Sequence, residues 1–354
     1  MTNDNFGRGW YQRQFWARHY CYCNKNCNYC FALADLPRLA DMPLEQALEF
    51  IREGYDIGYR DLHLTGGEPT LWPSLFDFLG LAREIGYKSF YINTNAESLR
   101  EELWRKMAAF KDQLILTVTL NGPREIHDAG RGPGSYDAAR RNISRLLEFG
   151  LEVHVFTLIG GGFATWLPGF TRDLFAEFPD IRQQTLIQLH RVVDDAHDVA
   201  PALLSPEEFV QMVRMVGHIR MLLGVRIGFK EDPLTTATAA RLRMDLPRSL
   251  PAVRRGGLIM LQNGNLTGLH SIRESAGAYY PGKLKEVLFS EAHEDSFAPD
   301  EATCPSCEYV SICRRAGMLR PSRTDWHPEG DLPYCRRVHM ALDELCLNDK
   351  NDIE

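Results

Sequence analysis

The chain lacks the features of several broad classes of protein. None of its apolar stretches approaches the roughly 18 residues that a membrane-spanning helix needs. Its formal net charge of −7 at pH 7 argues against a protein that coats nucleic acid or binds a membrane through basic residues. Internal repeats and low-complexity tracts are absent. Residues 1–16 do not combine a basic start with an apolar core, so we expect no secretory signal and a cytoplasmic location.

Cysteine is missing from the long middle of the chain. The nine cysteines fall into two groups, within 21–30 and 304–346. An odd count without an expected signal sequence fits poorly with a disulfide framework. Clustered thiols in a reducing compartment more often bind metal ions or iron–sulfur clusters. The composition is otherwise that of a globular enzyme, with 44% hydrophobic and 25% charged residues.

Between the two cysteine groups, short apolar runs alternate with amphipathic segments in about six strand-then-helix steps. Repeated βα units form a parallel sheet, either open or curved into a barrel, and functional groups gather at the carboxyl ends of its strands. We predict strands at 60–66, 88–93, 113–120, 151–158, 184–190 and 225–229, and helices at 42–58, 73–85, 97–109, 135–150, 168–178 and 205–224.

The alternation stops near 233–255, a stretch rich in Thr, Ala, Pro and Arg. Two short strands then flank Asn263-Gly264, which is a strong hairpin signal. The length of 354 residues allows one large domain and a smaller one. We predict a core at 1–235, a linker at 236–256, a second domain at 257–346 and a tail at 347–354.

The first cysteine group contains the spacing C-x3-C-x2-C at Cys23, Cys27 and Cys30, with Cys21 just before it. A zinc site or buried free cysteines would be one interpretation, although structural zinc usually takes four ligands in two C-x2-C-like pairs. Three thiolates could instead hold three irons of a cubane cluster. The fourth iron would then be open to chelate a small molecule.

The first predicted strand after this group ends in TGGEPTL, residues 65–71. Gly66 and Gly67 let backbone carbonyls approach a ligand closely, and Glu68 offers an anionic acceptor to an ammonium group. Pro69 then ends the strand. A simple strand-to-helix turn would not require the glutamate, so this motif indicates a ligand-binding turn.

The two motifs together resemble those of the radical S-adenosylmethionine (radical SAM) enzymes, including the aromatic Tyr29 before the last cysteine. The resemblance implies an α/β fold, a partial (β/α)6 TIM-like barrel. It implies a catalytic 4Fe-4S cluster on the three cysteines and bound SAM, whose methionine amino group the GGEP motif would hold. Tyr29 would lie near the adenine, and Cys21 would not be a ligand.

Two further stretches extend the resemblance. YINTNA, residues 91–96, is similar to a family strand whose polar end contacts the cofactor, which implicates Asn95. TLNGPREIHDAGRGPGSYD, residues 119–137, is similar to a stretch of the maturase branch. Thr119 and Asn121 stand where Ser and Asp are usual, and Arg131 matches an arginine that pairs with the cofactor carboxylate. We interpret His127 and Asp128 as a pair that orders the loop.

The second cysteine group has the spacing C-x2-C-x5-C followed by a distant fourth cysteine. A zinc knuckle remains one possibility, since four thiolates suit zinc. The spacing and the preceding hairpin resemble the SPASM extension of peptide-modifying radical SAM enzymes, which holds two auxiliary 4Fe-4S clusters. Leu269 and Gly317 occupy cysteine positions of the cluster nearer the active site, so we expect a single auxiliary cluster. Its ligands would be Cys304, Cys307, Cys313 and Cys335.

Groups for proton transfer are expected at the barrel mouth, and His190 and Glu231 are the candidates, with Asp232 and His270 as further ones. The resemblance favours a maturase of a ribosomally made peptide. A dehydrogenase of a small alcohol, sugar or aminocyclitol is the alternative, and a non-catalytic scaffold would not need GGEP. A one-electron donor such as flavodoxin or ferredoxin is implied. A separate leader-peptide-binding protein is expected, because only about 20 residues precede the cluster motif.

Overall fold

A computed structural model describes most of the chain. The described residues are 14–18, 23–30, 42–189, 199, 202–230, 233–244, 258–261, 263–267, 276–291, 307–310 and 331–351. Cys21, His190, Glu231, Asp232, Leu269, His270, Cys304, Cys313 and Gly317 lie outside them. The predictions made for those nine residues therefore stay predictions.

Strands and helices alternate along the described chain. The strands are β1 (Gln14–Arg18), β2 (Asp61–Thr65), β3 (Ser89–Thr94), β4 (Leu114–Thr119), β5 (Glu152–Ile159), β6 (Gln183–Gln188), β7 (Ile227–Phe229), β8 (Ile259–Met260) and β9 (Leu266–Thr267). The helices are α1 (Leu44–Asp56), α2 (Leu75–Ile85), α3 (Glu101–Ala108), α4 (Arg124–Arg131), α5 (Ser135–Glu148), α6 (Leu167–Glu177), α7 (Pro206–Leu223), α8 (Pro233–Arg241), α9 (Lys283–Leu288) and α10 (Asp331–Asn351).

The strands form one sheet in the order β7-β6-β5-β4-β3-β2-β1-β8-β9. Neighbours from β1 to β7 are parallel, β8 is parallel to β1, and β9 is antiparallel to β8. The predicted parallel α/β architecture with six strands from β2 to β7 is confirmed. Strand β1 and helix α4 were not predicted. The predicted hairpin is present and extends the sheet through β1.

Helices α1, α5 and α7 pack against the sheet. In α1, Ala47, Leu48 and Ile51 are buried, as their helical spacing predicts. Ser205 caps α7, because its side chain accepts from the backbone N–H of Glu208 while the Glu208 carboxylate accepts from the Ser205 N–H. This capping box fixes where α7 begins.

The parallel sheet curves, which brings β2 and β7 toward each other. Five strand-to-strand steps separate β2 from β7, which in a flat sheet would amount to about 24 Å. Yet Lys230, directly after β7, is near enough to His63 on β2 to lower the pKa of His63 further, after burial has already lowered it. Curvature into a partial barrel accounts for this approach, and it places the His63 ring, stacked on Tyr91 at 4.4 Å, in the barrel interior.

The last described helix, α10, packs against α7 and α8. Tyr334, Val338 and Leu342 are buried in a cluster with residues of α7. The Tyr334 hydroxyl donates to the carbonyl of Leu204 at 3.0 Å. Helix α8 runs across the predicted end of the core at residue 235, and the division into domains remains a prediction. Within the described part of the chain, no helix is long and apolar enough to cross a membrane.

Candidate active site

Four segments that follow the carboxyl ends of β1 to β4 meet at one edge of the sheet. The cysteine segment 23–30 follows β1, the GGEP turn follows β2, and the segments around Asn95 and Asn121 follow β3 and β4. Helix α4 then brings Arg131 to the same place. Parallel strands present their carboxyl ends at one edge, which explains why these segments meet.

The three cysteines of the C-x3-C-x2-C motif are thiols without disulfide bonds, and Cys27 is buried. A turn links two of them, since the Cys30 N–H donates to the Cys27 carbonyl at 3.1 Å. The pKa of Cys23 is raised to about 12, chiefly by burial and in part by nearby Glu68, while a backbone hydrogen bond at Lys25 opposes the rise. Burial also raises the pKa of Cys27, but the Arg131 guanidinium acts in the opposite direction. Thiolates at this site therefore call for a bound cation.

No three His, Cys, Asp or Glu side chains among the described residues converge closely enough to bind a single metal ion. The thiols of Cys23, Cys27 and Cys30 thus do not form a preorganised mononuclear site. Cubane clusters bind one thiolate at each iron corner, so their ligands surround a larger body than one ion. Three thiols within one segment are compatible with a cluster of this kind.

Glu68 is a buried carboxylate, 3% exposed, that joins the ends of two strands. Its Oε1 accepts from the Thr70 N–H, the Thr70 hydroxyl and, at 2.7 Å, the Thr94 hydroxyl, while Oε2 accepts from the Asn95 N–H at 2.7 Å. Burial raises the pKa of Glu68 and these hydrogen bonds oppose the rise. Because Oε2 accepts one bond, it can still accept from an ammonium group.

The glycine turn before Glu68 has a left-handed backbone. Gly66 has φ of +141°, which residues with a Cβ rarely adopt. Pro69 then begins a short 3₁₀ turn, Pro69–Leu71, and is buried. The turn therefore fixes the backbone at Gly66, Gly67 and Glu68 in one shape.

Asn95 contacts the cysteine segment directly. Its Nδ2 donates to Asn24 Oδ1 at 2.8 Å and lies 3.9 Å from the Cys23 sulfur. Asn24 in turn donates to the Ser98 hydroxyl at 2.7 Å. Asn95, a predicted cofactor residue, therefore also contacts Cys23, a predicted cluster ligand.

Asn121 binds protein groups at both ends of its amide. Its Nδ2 donates to the Tyr29 hydroxyl, and its Oδ1 accepts from the Leu158 N–H at 3.1 Å. The asparagine that stands where the family usually has aspartate can thus donate to the tyrosine. Thr119 lies half-buried at the end of β4, two residues earlier.

Tyr29 is held between α4 and the end of β4. Its hydroxyl also accepts a hydrogen bond from Arg131 Nη1 at 3.1 Å. A Cβ on Gly130 would lie 2.7 Å from the Tyr29 ring, closer than real Cβ contacts, so the ring needs glycine at that position. The Asn28 N–H donates to the Gly130 carbonyl at 3.2 Å, which ties the cysteine segment to the same helix.

Arg131 is buried, and its Nε makes no hydrogen bond to any residue that the structure describes. A buried guanidinium with an unused N–H is well suited to bind a carboxylate. With three thiols, a glycine turn and an acceptor at Glu68, the site has donors and acceptors of the kinds that a 4Fe-4S cluster and SAM require. The residues present therefore fit these groups.

A buried network beside these residues was not predicted from the sequence. Glu97, just beyond β3, forms an ion pair with Lys25 of the cysteine segment at 2.7 Å and accepts from the Ser135 hydroxyl at 2.6 Å. Ser135 lies 3.1 Å from His127 Nε2, and His127 Nδ1 accepts from the Asn121 N–H at 3.0 Å. Glu97 could have been predicted as a site residue, because it is an acidic residue shortly after the end of β3.

His127 and Asp128 differ in role. Asp128 accepts from the Gly134 and Tyr136 N–H groups at 3.0 and 2.7 Å, and this confirms its role in ordering the loop. His127 belongs to the buried network instead. Its burial lowers its pKa to about 3, so it is neutral at pH 7.

The second cysteine group is described only at Cys307 and Cys335, both half-buried. The Tyr309 ring stacks on His339 of α10 at 4.8 Å, so the segment 307–310 lies against that helix. Arg241 of α8 is 2.6 Å from Asp343 of α10 and 3.6 Å from Glu308. These contacts bring the segment that carries Cys307 onto the helix that carries Cys335.

Comparisons with known proteins agree with the site. Residues 18–166 match the family model of the Radical SAM superfamily. A GTP 3′,8-cyclase of Helicobacter pylori is 31% identical over 211 residues, 57% of this chain and 62% of that protein. Mycofactocin maturase MftC of Mycobacterium tuberculosis is 28% identical over 131 residues, 36% of this chain and 32% of that protein. The chain therefore spans less than two thirds of either relative.

A solved structure shares the fold over nearly the whole chain. The structure of anSMEcpe with bound AdoMet (SAM) superposes with a TM-score of 0.71 at 16% identity, covering 96% of this chain and 99% of that one. The same protein has also been solved with AdoMet and a Cp18Cys peptide. The likeness confirms the fold expected from the motifs. Residues 18–166 of this chain are thus a radical SAM domain, which contains the three clustered thiols and the GGEP turn.

Proposed function

We propose that this protein is a radical SAM enzyme that modifies a ribosomally synthesised peptide by crosslinking, epimerising or oxidising a side chain. The observation that carries the proposal is the meeting of the C-x3-C-x2-C thiols, Glu68 and Arg131 at one edge of the sheet. A 4Fe-4S cluster held by the three thiols would supply the one-electron reduction of SAM that starts hydrogen abstraction from a substrate.

The residues of the chain have separate tasks in this proposal. Cys23, Cys27 and Cys30 hold the catalytic cluster. Arg131 binds the cofactor carboxylate through its unused Nε–H, and Glu68 accepts from the amino group. The remaining cofactor contacts are assigned to Tyr29, Gly66, Gly67, Pro69, Asn95, Thr119 and Asn121. Proton transfer is assigned to His190 and Glu231, and the curved sheet excludes water from the interior.

A second 4Fe-4S cluster is proposed on Cys304, Cys307, Cys313 and Cys335. Support comes from the stacking of Tyr309 on His339, which holds the segment of Cys307 against the helix of Cys335. Four thiolates leave no open iron, so this cluster would transfer electrons or staple α10 to the segment.

A peptide substrate is favoured by the fold shared with anSMEcpe, whose structure holds a peptide, and by the similarity to a maturase. The proposal includes a one-electron donor such as flavodoxin or ferredoxin, a separate leader-peptide-binding protein and a cytoplasmic location. The alternative is a small-molecule enzyme, a dehydrogenase of an alcohol, sugar or aminocyclitol. The similarity to GTP 3′,8-cyclase favours a small substrate, since that enzyme is named for a nucleotide.

Anaerobic reconstitution tests the cofactors. We expect about eight irons per chain and no zinc when both clusters form. About four irons and one zinc would contradict the auxiliary cluster alone. Cys27→Ala should abolish release of 5′-deoxyadenosine, and the matched variant Cys21→Ala should retain it. If wild-type protein with a strong reductant releases no 5′-deoxyadenosine, the enzyme class is wrong.

Mass spectrometry tests the substrate class. Short peptides encoded beside the gene are coexpressed with wild-type protein or with Cys27→Ala. A loss of two hydrogens that depends on Cys27 would indicate crosslinking or oxidation, and deuterium uptake from solvent without a mass loss would indicate epimerisation. Unchanged peptides, in cells where the wild-type protein cleaves SAM, would favour the small-molecule alternative.

A further inference from the structure

Glu97 joins three elements of the candidate site that no other described carboxylate joins. Its Oε2 is 2.7 Å from Lys25 Nζ in the cysteine segment. Its Oε1 accepts from the Ser135 hydroxyl at the start of α5 and lies 3.9 Å from Arg131 Nε in α4. The side chain is only 10% exposed, so these interactions are poorly screened by water.

In the hydrogen bonds that link Asn121 to Glu97 through His127 and Ser135, each group donates toward Glu97. The Asn121 N–H donates to His127 Nδ1, so the proton of the neutral ring is on Nε2. Nε2–H then donates to the Ser135 oxygen, and the Ser135 hydroxyl donates to Glu97. The chain of donors therefore ends on a carboxylate, which is the strongest acceptor available.

Both ends of this chain reach groups assigned to the cofactor. At one end, Asn121 also donates to the Tyr29 hydroxyl, and Arg131 donates to the same oxygen. At the other end, Glu97 attracts the Arg131 guanidinium from the Nε side without hydrogen bonding to it. The Nε–H is thereby left to a ligand, while Tyr29 and Glu97 fix the position of the guanidinium.

We propose that Glu97 is a positioning residue for SAM binding, which acts through Arg131 and through Lys25 of the cysteine segment. The inference rests on the proposed function, because it assigns Arg131 to the cofactor carboxylate. Glu97 touches neither the cluster ligands nor the ligand of Arg131 in this assignment. It determines where the guanidinium and the segment stand relative to each other before SAM arrives.

The substitution Glu97→Gln tests this role, with Glu101→Gln as the matched control. Both replace a glutamate that follows β3 by its neutral isostere, but Glu101, the first residue of α3, is exposed and forms an ion pair with exposed Arg105. The readout is the electron paramagnetic resonance spectrum of the reduced, reconstituted protein titrated with SAM. Chelation of SAM changes the cluster signal, so samples frozen directly after mixing give a Kd before SAM is consumed.

We expect Glu97→Gln to bind SAM at least about tenfold more weakly, with iron content and the SAM-free signal as in wild type. Glu101→Gln should match wild type. Ser135→Ala, which removes one donor to Glu97 and keeps its charge, should weaken binding less. The KM for SAM should rise more than kcat falls, which a loss of general stability would not produce.

Equal SAM affinity in Glu97→Gln and wild type would overturn the proposal, and so would equal weakening in Glu101→Gln. Loss of iron from Glu97→Gln would also overturn it, since Glu97 would then hold the cluster segment and not the cofactor. If that variant does not fold, unchanged SAM affinity in Ser135→Ala overturns the proposal and weakened affinity supports it. A wild-type signal that does not respond to SAM is a different result, which refutes the proposed function and the role of Glu97 with it.

Discussion

The sheet edge that carries the cysteine segment and the region around α10 are held together by different forces. At the sheet edge, side chains from separate elements bind one another through buried polar contacts, such as Glu68 to Thr94 and Lys25 to Glu97. Around α10, apolar side chains such as Val338 and Leu342 pack on α7, and the ion pairs of Arg241 are largely exposed.

The two kinds of contact have different effects: buried polar bonds fix the geometry of the sheet edge, whereas apolar packing holds α10 in place. Buried polar bonds have narrow ranges of distance and angle, and an unmade bond is costly, so they select one arrangement. Apolar packing tolerates changes of similar volume, and exposed ion pairs contribute little. Under the proposed function, the sheet edge orients ligands, and the α10 region attaches one helix. We therefore expect substitutions at the edge to affect chemistry and those near α10 to affect attachment.

The largest contrast should come from one cysteine in each region. Cys27→Ala should reduce 5′-deoxyadenosine release to the uncatalysed background and lower the iron content by about half, since a ligand of the open cluster is lost. Cys335→Ala should lose a similar amount of iron and retain SAM cleavage. Iron assay and chromatography of the nucleoside measure both. Abolished cleavage in Cys335→Ala would contradict the separation of the two regions.

A smaller but still large effect is expected for Glu68→Gln. The amide can accept fewer bonds than the carboxylate, so buried donors at Thr70, Thr94 and Asn95 compete for one oxygen. We expect unfolding to become easier by about 1–3 kcal/mol and SAM affinity to fall. Chemical denaturation measures the first. Glu102→Gln, on the exposed face of α3, is the control, and an equal effect in both variants would contradict the importance of the buried bonds.

Gly130→Ala should have an intermediate effect that is concentrated at the site. The new Cβ would meet the Tyr29 ring at 2.7 Å and displace it from Asn121 and Arg131. Overpacking of this kind costs about 1–3 kcal/mol, and SAM affinity should fall with it. Gly80→Ala in α2, where a Cβ meets nothing within 4 Å, should leave stability equal or raised. Unchanged SAM affinity in Gly130→Ala would mean that Tyr29 does not depend on this contact.

The last prediction concerns acid stability and compares two histidines. The pKa of His127 is lowered to about 3 by burial, so between pH 6.5 and about 3 the unfolded chain binds a proton that the folded chain does not. Stability should therefore fall with decreasing pH by up to about 1.4 kcal/mol per unit in this window. His127→Gln should reduce this slope when denaturation is followed at pH 7, 6 and 5.

His339 near α10 provides the comparison. Burial lowers its pKa as well, but Asp343 and Glu308 act in the opposite direction. We expect His339→Gln to change the pH slope less than His127→Gln. A larger change for His339→Gln would contradict the view that the sheet edge depends more strongly on one protonation state.

Much of the architecture could be predicted because it follows from local patterns. The strands β2 to β7 and the helices between them follow alternating apolar periodicity, and Ser205 indicated the start of α7. Strand β1, with the sequence QFWAR, was missed because five residues without turn signals on either side give no pattern. Its strand identity depends on pairing with β2 and β8, which are distant in the chain.

The candidate site was predicted where motifs carry it and missed where only the fold does. The cysteines and GGEP have fixed spacings that can be read from the sequence. The contacts of Glu97 with Lys25 and Ser135 join residues far apart in the chain, and no spacing rule connects them. Asn121 was predicted as a cofactor contact, but its bond to Tyr29 requires the positions of two loops.

The pairing of β1 with β8 has a consequence for how the protein is made. Strand β1 leads directly into the cysteine segment, and its neighbours in the sheet are β2 on one side and β8 on the other. During synthesis, β2 emerges soon after β1, whereas Ile259 and Met260 emerge only after all seven parallel strands. The cysteine segment is therefore anchored on one side early and on the other side late. We therefore expect the cysteine segment to gain its second sheet neighbour only late in synthesis.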